Sequence, residues 1–176
     1  YGLLSPSIYL HEGKVIAMGI VPDKLPSYQN VMKLGYAHTM SFPRELRLDE
    51  QGNVLQKPFS GVEELRTEEH FAARDTVVNG ALSLNPIGGR QWEVKTQVVV
   101  GENSFRLEFL KTPSSSAKLT YAPQDGKLVL SVGGIQRLSN DNGSFNGNYE
   151  MLLPHKPLKG DTLLLDVYFD NSIVEI

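Results

Sequence analysis

Apolar residues recur along this chain in short bursts of roughly four to eight residues, the length of sheet strands rather than of helices. Such runs occupy Lys14–Val21, Arg44–Leu48, Trp92–Val100, Ser104–Leu110, Ala117–Tyr121, Lys127–Val132, Thr162–Phe169 and Ser172–Ile176. They are rich in Val, Leu, Phe and Tyr, which fit a pleated, half-buried surface. Trp92, Val94, Thr96 and Val98 share one face of their run, and Phe105, Leu107 and Phe109 share a face of theirs that reads as core. Between the runs lie His11-Glu12-Gly13, Asp49–Asn53, Pro86–Gly89, Gly101-Glu102-Asn103 and Gln124-Asp125-Gly126. These supply the positive-φ and Asx positions that tight hairpins need. The pattern predicts an all-β protein of antiparallel sheets, as a sandwich or barrel, and not alternating βαβ units.

One segment breaks the strand rhythm. Ser60–Arg66 offers Ser60 as a helix N-cap and Glu63 three residues on, the spacing of a capping box. Glu64 lies in the first turn and Arg66 at the end, in the order that suits the helix dipole. A helix of about two turns is marginal alone, so packing must hold it. Pro22, Pro26, Pro43 and Pro58 precede it, and strand-like runs follow. The expected organisation is a β unit over residues 1–59, a connector helix over 60–67 and a second β unit over 68–176. Leu110–Ser116 and Leu138–Gly147 are polar and read as loops.

Composition narrows the function classes. The 176 residues carry a net charge of -3, with 40% hydrophobic and 21% charged residues, which is ordinary for a globular chain. No basic block is present, so the electrostatic footprint of a nucleic-acid binder is missing. No run reaches the ~18 apolar residues of a membrane span. Neither nucleic acid nor membrane is therefore an expected partner. The chain opens at Tyr1 inside a structured-looking segment, so compartment stays open between a cytoplasmic and a secreted setting. There are no cysteines, which excludes disulfides and thiolate zinc sites. His11, His38, His70 and His155 are isolated, so no metal site is expected. Phosphate-loop, dinucleotide and nucleophile-elbow patterns are absent, and no cofactor is implied. Glu63-Glu64, Glu68-Glu69 and Asp49-Glu50 read as solvated faces and turns. Trp92 is expected to pack in the core or cover a sheet, with sugar stacking as the alternative.

Three strings carry a resemblance. Met40-Ser41-Phe42-Pro43-Arg44-Glu45-Leu46-Arg47-Leu48, followed by Gly52-Asn53-Val54-Leu55-Gln56-Lys57-Pro58, resembles a stretch of glycoside hydrolase family 32. That family holds invertases, sucrose-6-phosphate hydrolases, inulinases and levanases. Glu63, Leu65 and Arg66 resemble its connector helix, and Asp166–Ile176, with Asp170, Ser172 and Glu175, is similar to a segment of its C-terminal β-sandwich. Lys14–Val21 with the Pro22–Tyr36 loop is similar to the preceding strand. Two departures mark divergence: Gly2–Pro6 matches the family only loosely, and Leu130–Gly134 lacks the Asp-Arg often found there.

The resemblance implies that residues 1–59 are the last, incomplete part of a five-bladed β-propeller and that 68–176 form the antiparallel sandwich. The family's sandwich continues past the segment ending at Ile176, so its last strands are expected beyond that point. Pro43, Arg44, Glu45, Leu46, Asp170, Ser172 and Glu175 are expected as structural motif residues. Pro43 suits an edge or bulge, and Arg44 and Glu45 point to opposite faces of a strand. Glu45 is expected either to anchor the connector or the other domain, or to lie in solvent with Arg44.

No catalytic residue is expected in this chain, because the family's nucleophile, stabilising aspartate and acid/base glutamate belong to earlier blades. Arg74-Asp75-Thr76 lacks the proline of an Arg-Asp-Pro signature and reads as part of a strand with Phe71, Ala73 and Val77. Asn140-Asp141-Asn142-Gly143 lacks the proline of an Asn-Asp-Pro-Asn-Gly signature and reads as a loop. Substrate-binding positions are not legible. The expected partners are sucrose or a fructan through the parent enzyme, the missing propeller blades, and a further copy of the chain against residues 1–59. Such an enzyme would be a retaining one, with its two carboxyl groups about 5–5.5 Å apart. The competing reading is a non-catalytic carbohydrate-binding or protein-interaction sandwich, for which aromatics such as Trp92, Phe105, Tyr121 and Tyr149 would have to line one exposed face.

Overall fold

A computed structural model describes residues 4–21, 32, 35–36, 38–69, 71–83, 89–136, 144–153, 156–171 and 173–176. Among them run β1 (Leu4–His11), β2 (Lys14–Val21), β3 (Thr39–Met40), β4 (Arg44–Leu48), β5 (Val54–Pro58), β6 (Gln91–Val99), β7 (Phe105–Phe109), β8 (Ser116–Ala122), β9 (Lys127–Gln136), β10 (Ser144–Leu152), β11 (Thr162–Asp170) and β12 (Ile173–Glu175), with a 3₁₀ helix at Ser60–Leu65. The protein is all-β. The strands make three sheets: β1-β2-β4-β5 with β3 also on β2, β10-β9-β8-β7, and β12-β11-β6.

The pairs with a defined register are antiparallel. The β1–β2 hairpin turns through Glu12 and Gly13, at φ 49° and 77°. Positive φ at both central positions gives a turn whose twist matches that of the strands it joins. Between β4 and β5 the Asp49 carboxylate accepts the backbone N–H groups of Gln51 and Asn53 and the Asn53 side-chain amide. These bonds, the Asn53 side chain foremost, hold the Asp49 carboxyl below its ordinary value.

Two compact units arise. One comprises Tyr1–Lys24, His38–Trp92 and Tyr168–Glu175; the other comprises Leu25–Ala37, Glu93–Val167 and Ile176. Residues 60–67 lie within the first. Its buried side chains are Ile16, Ala17, Ser41, Tyr168, Phe169 and Ile173, and Trp92 stacks on Phe169 with ring centres 3.5 Å apart. In the second unit Val100, Phe109, Ala117, Leu119, Tyr121, Leu128, Leu163, Leu165 and Val167 are buried. The Tyr121 hydroxyl donates to the Pro157 carbonyl at 3.0 Å, and burial pushes its phenol upward.

Three expectations are corrected. The capping box does not form: Phe59 is the N-cap residue, no side chain caps the helix, and the Ser60 hydroxyl instead accepts from the Lys14 ammonium at 3.2 Å. A lysine reaching across from β2 takes the oxygen a cap would have used. The strand through Phe71, Ala73 and Val77 is also absent. Residues 71–83 have no regular structure and are exposed, Val77 to 90%. Asp75 sits at φ 50°, incompatible with a continuous strand. Finally, the predicted loop at Leu138–Gly147 ends early, because Ser144 begins β10. Ser144 pairs with Gln136, and Gly147 with Val132 across a register shift. Backbone pairing to β9 makes a strand of residues that are polar by composition.

Candidate functional site

Polar side chains converge on the Ser41–Arg44 segment between β3 and β4. Ser41 is buried, at 4% exposure. Its hydroxyl accepts the Gly19 N–H at 3.1 Å and donates to the Phe42 carbonyl at 3.1 Å, while its own N–H donates to the Gly19 carbonyl at 2.8 Å. Pro43 has no N–H to give, but its carbonyl accepts the Phe59 N–H at 2.9 Å, which fixes the entry to the helix.

Glu175 reaches this segment from β12. One carboxylate oxygen accepts the Phe42 N–H at 2.6 Å, and the other pairs with the Arg44 guanidinium. The Arg44 and Glu175 side chains are 25% and 13% exposed, so the pair is partly desolvated and stronger than a surface bridge. Arg44 also donates to the Gln56 side-chain carbonyl at 3.0 Å, and the Phe42 and Tyr168 rings meet at 5.4 Å.

Glu45 faces the other way. It lies 3.4 Å from the Lys57 ammonium and 3.9 Å from that of Lys14. Lys14 also sits 5.7 Å from the centre of the Phe59 ring and bonds Ser60. Glu45 thus ties β2, β4 and β5 to one another beside the helix, and at 15% exposure it is not solvated. Leu46 is half-buried and pairs with Val15 and Gln56. The Asp170 carboxylate accepts from the side-chain amides of Gln91 and Asn171, each at 2.8 Å. Of the seven motif residues, Pro43, Arg44 and Glu175 therefore meet in one network, Glu45 and Leu46 lie on its strand, and Asp170 ends β11. Ser172 lies outside the described residues.

Residues missed in the sequence complete this network. In the sequence Ser41, Gln56 and Lys57 are only letters of a motif, and Lys14 is only the start of a strand. Spacing alone gives no signal for them, because their partners sit on other strands.

The network holds its carboxylates against cations or amides. Elsewhere, Lys95 lies 3.3 Å from both Glu93 and Asp166, and Lys111 bonds Glu108 at 3.1 Å. The Lys111 hydrogen bond is the chief cause of a lowered Glu108 carboxyl. A general acid needs the opposite shift. Asp75 is exposed, with only the neighbouring Thr76 hydroxyl bonding the Arg74 carbonyl, and Asp141 lies outside the described residues. Among the described residues no group of three or more His, Asp or Glu is placed to hold a metal. Trp92 offers one indole face to Phe169, and His11 meets Phe59 edge-on at 5.9 Å.

The family "Glycosyl hydrolases family 32 C terminal" matches residues 61–176. The chain belongs to glycoside hydrolase family 32, whose C-terminal domain is a β-sandwich. Sucrose-6-phosphate hydrolase of Staphylococcus xylosus is 31% identical over 144 residues, covering 81% of this chain and 27% of that protein. The chain thus spans about a quarter of the length of this relative.

Proposed function

We propose that this chain is the C-terminal part of a β-fructosidase-type glycoside hydrolase acting on sucrose, sucrose phosphate or fructans, and that its own role is structural. In this reading residues 1–59 are the last part of the catalytic propeller, 60–67 the connector and 68–176 the sandwich. The single observation that carries it is the family match across residues 61–176, and identity to a sucrose-6-phosphate hydrolase ranks the phosphorylated disaccharide first among the substrates.

The chemistry then resides in the rest of the polypeptide. Retaining hydrolysis needs a carboxylate nucleophile and a carboxylic acid on either side of the glycosidic bond. The described carboxylates with shifted values, Asp49 and Glu108, are both held low, the opposite of what a proton donor needs. The carbohydrate-binding alternative would need an open aromatic platform, but Trp92 has one face against Phe169 and Tyr121 is buried.

The test is to assay released fructose from sucrose, sucrose 6-phosphate, inulin and levan. The full-length protein should turn over at least one of them, and the 176-residue chain none. Turnover by the chain alone that disappears in Asp75→Asn or Asp141→Asn would overturn the reading.

A further inference from the structure

We propose that Asn79-Gly80 is a site of spontaneous deamidation, where the fold leaves the backbone free to close on its own side chain. Asn-Gly occurs twice among the described residues, at 79–80 and at 146–147, while Asn142-Gly143 lies outside them. One dipeptide thus meets two kinds of backbone in the same molecule.

The reaction places demands on that backbone. The Gly80 nitrogen, having given its proton to hydroxide, attacks the carbonyl carbon of the Asn79 side chain. The new C–N bond closes a five-membered succinimide, and ammonia leaves. Water then opens either ring carbonyl. The product is aspartate or, where the main chain is left running through Cβ, isoaspartate; overall one water is consumed and one ammonia released. A following glycine helps because no Cβ crowds the attacking nitrogen. The asparagine must also turn its ψ away from the extended value, and the next nitrogen must be free to move.

Asn79 meets these demands. Residues 71–83 have no regular structure and are exposed. Asn79 and Gly80 sit in a bend with Gly80 at φ 97°, and a Cβ placed on Gly80 would meet no atom within 4 Å. The space that a turning backbone needs is open. Asn146 lies instead within β10. Gly147, whose nitrogen would have to attack there, pairs with Val132, and the ladder runs on from it to Leu152. Reaction at Asn146 waits for that ladder to open locally, and the open form is a minor population.

Ageing of the intact protein in mildly alkaline buffer tests this, followed by tryptic digestion and mass spectrometry with fragmentation assigning each asparagine. Conversion at Asn79 should run about tenfold or more ahead of Asn146, the margin that local opening of a ladder imposes. It should yield both products, told apart by a protease that cuts at aspartate and not at isoaspartate. In denaturant the two sites should convert at similar rates, since glycine follows both. Three results would overturn the proposal. The first is equal conversion of the two sites in the folded protein. The second is a difference that survives in denaturant, which would trace it to neighbouring sequence and not to the fold. The third is aspartate alone at position 79, which would mean direct hydrolysis by water with no attack from Gly80.

Discussion

In the four-stranded sheet β7–β10 burial follows the pleat, with Ala117, Leu119 and Tyr121 alternating inward along β8 and Phe109 and Leu128 beside them. The five-stranded sheet buries far less. Ile16 and Ala17 are its covered apolar side chains, while Ile8, Leu10, Leu48 and Val54 are exposed. What holds it together is polar: Ser41 on Gly19, Glu175 on Phe42 and Arg44, and Glu45 between Lys14 and Lys57. The first sheet is a product of non-directional burial, which tolerates approximate fit. The second depends on directional bonds, each of which needs its own partner in place.

Substitutions can break that contrast, beginning with the largest effect. Leu119→Ala, at a site 2% exposed, removes side-chain packing and leaves a cavity. It should lower unfolding free energy by about 3 kcal/mol, read from the denaturant midpoint. An effect well under half of that would mean the alternating face is not the main source of stability in its unit. Ser41→Ala deletes both hydroxyl bonds and leaves the Gly19 N–H without its side-chain acceptor. The expected cost is about 1–3 kcal/mol, with β2 losing amide protection before β8 does. Equal loss in both strands would merge the two regions into one cooperative block.

The smallest effect sharpens the polar side of the contrast. Asp49 has a carboxyl held below its ordinary 3.8 by Asn53 and neighbouring backbone amides. Its folded value lies below its unfolded one, so its contribution is present above the unfolded value and is lost as pH falls through the folded one. Wild type and Asp49→Asn should therefore differ in thermal midpoint at about pH 6 and converge toward pH 2–3. A difference that persists undiminished in acid would show that the loop is held by something other than the charged carboxylate.

Legibility in the sequence tracked the same divide. β2 and β4 were read with their observed limits, and β6, β7, β8 and β11 to within a residue or so, because apolar alternation is written locally. β1 went unread because Ser5, at φ 44°, and Pro6 interrupt its pattern beside a register shift. The first part of β10 reads as a loop in the sequence because its ladder partner, not its composition, makes it a strand. Residues 71–83 show the converse failure, since a period of two in Phe71, Ala73 and Val77 is not enough when no neighbouring strand accepts the backbone. The motif string pointed to the right neighbourhood for the network, but not to who bonds whom. The choice of Lys14 over a cap for Ser60, and of Glu175 for Arg44, is made by sheet register and chain return, which no local window contains.

Glu45 carries a last implication, for how this sequence can drift. Its carboxylate has two ammonium neighbours, Lys57 and Lys14, drawn from different strands. Either lysine can mutate while the other still neutralises the half-buried charge, so the tie is redundant and forgiving. Losing both would strand an anion in a poorly solvated place. Positions 14 and 57 should therefore vary one at a time across relatives, a pattern of mutual insurance that the single carboxylate of Glu175 does not enjoy.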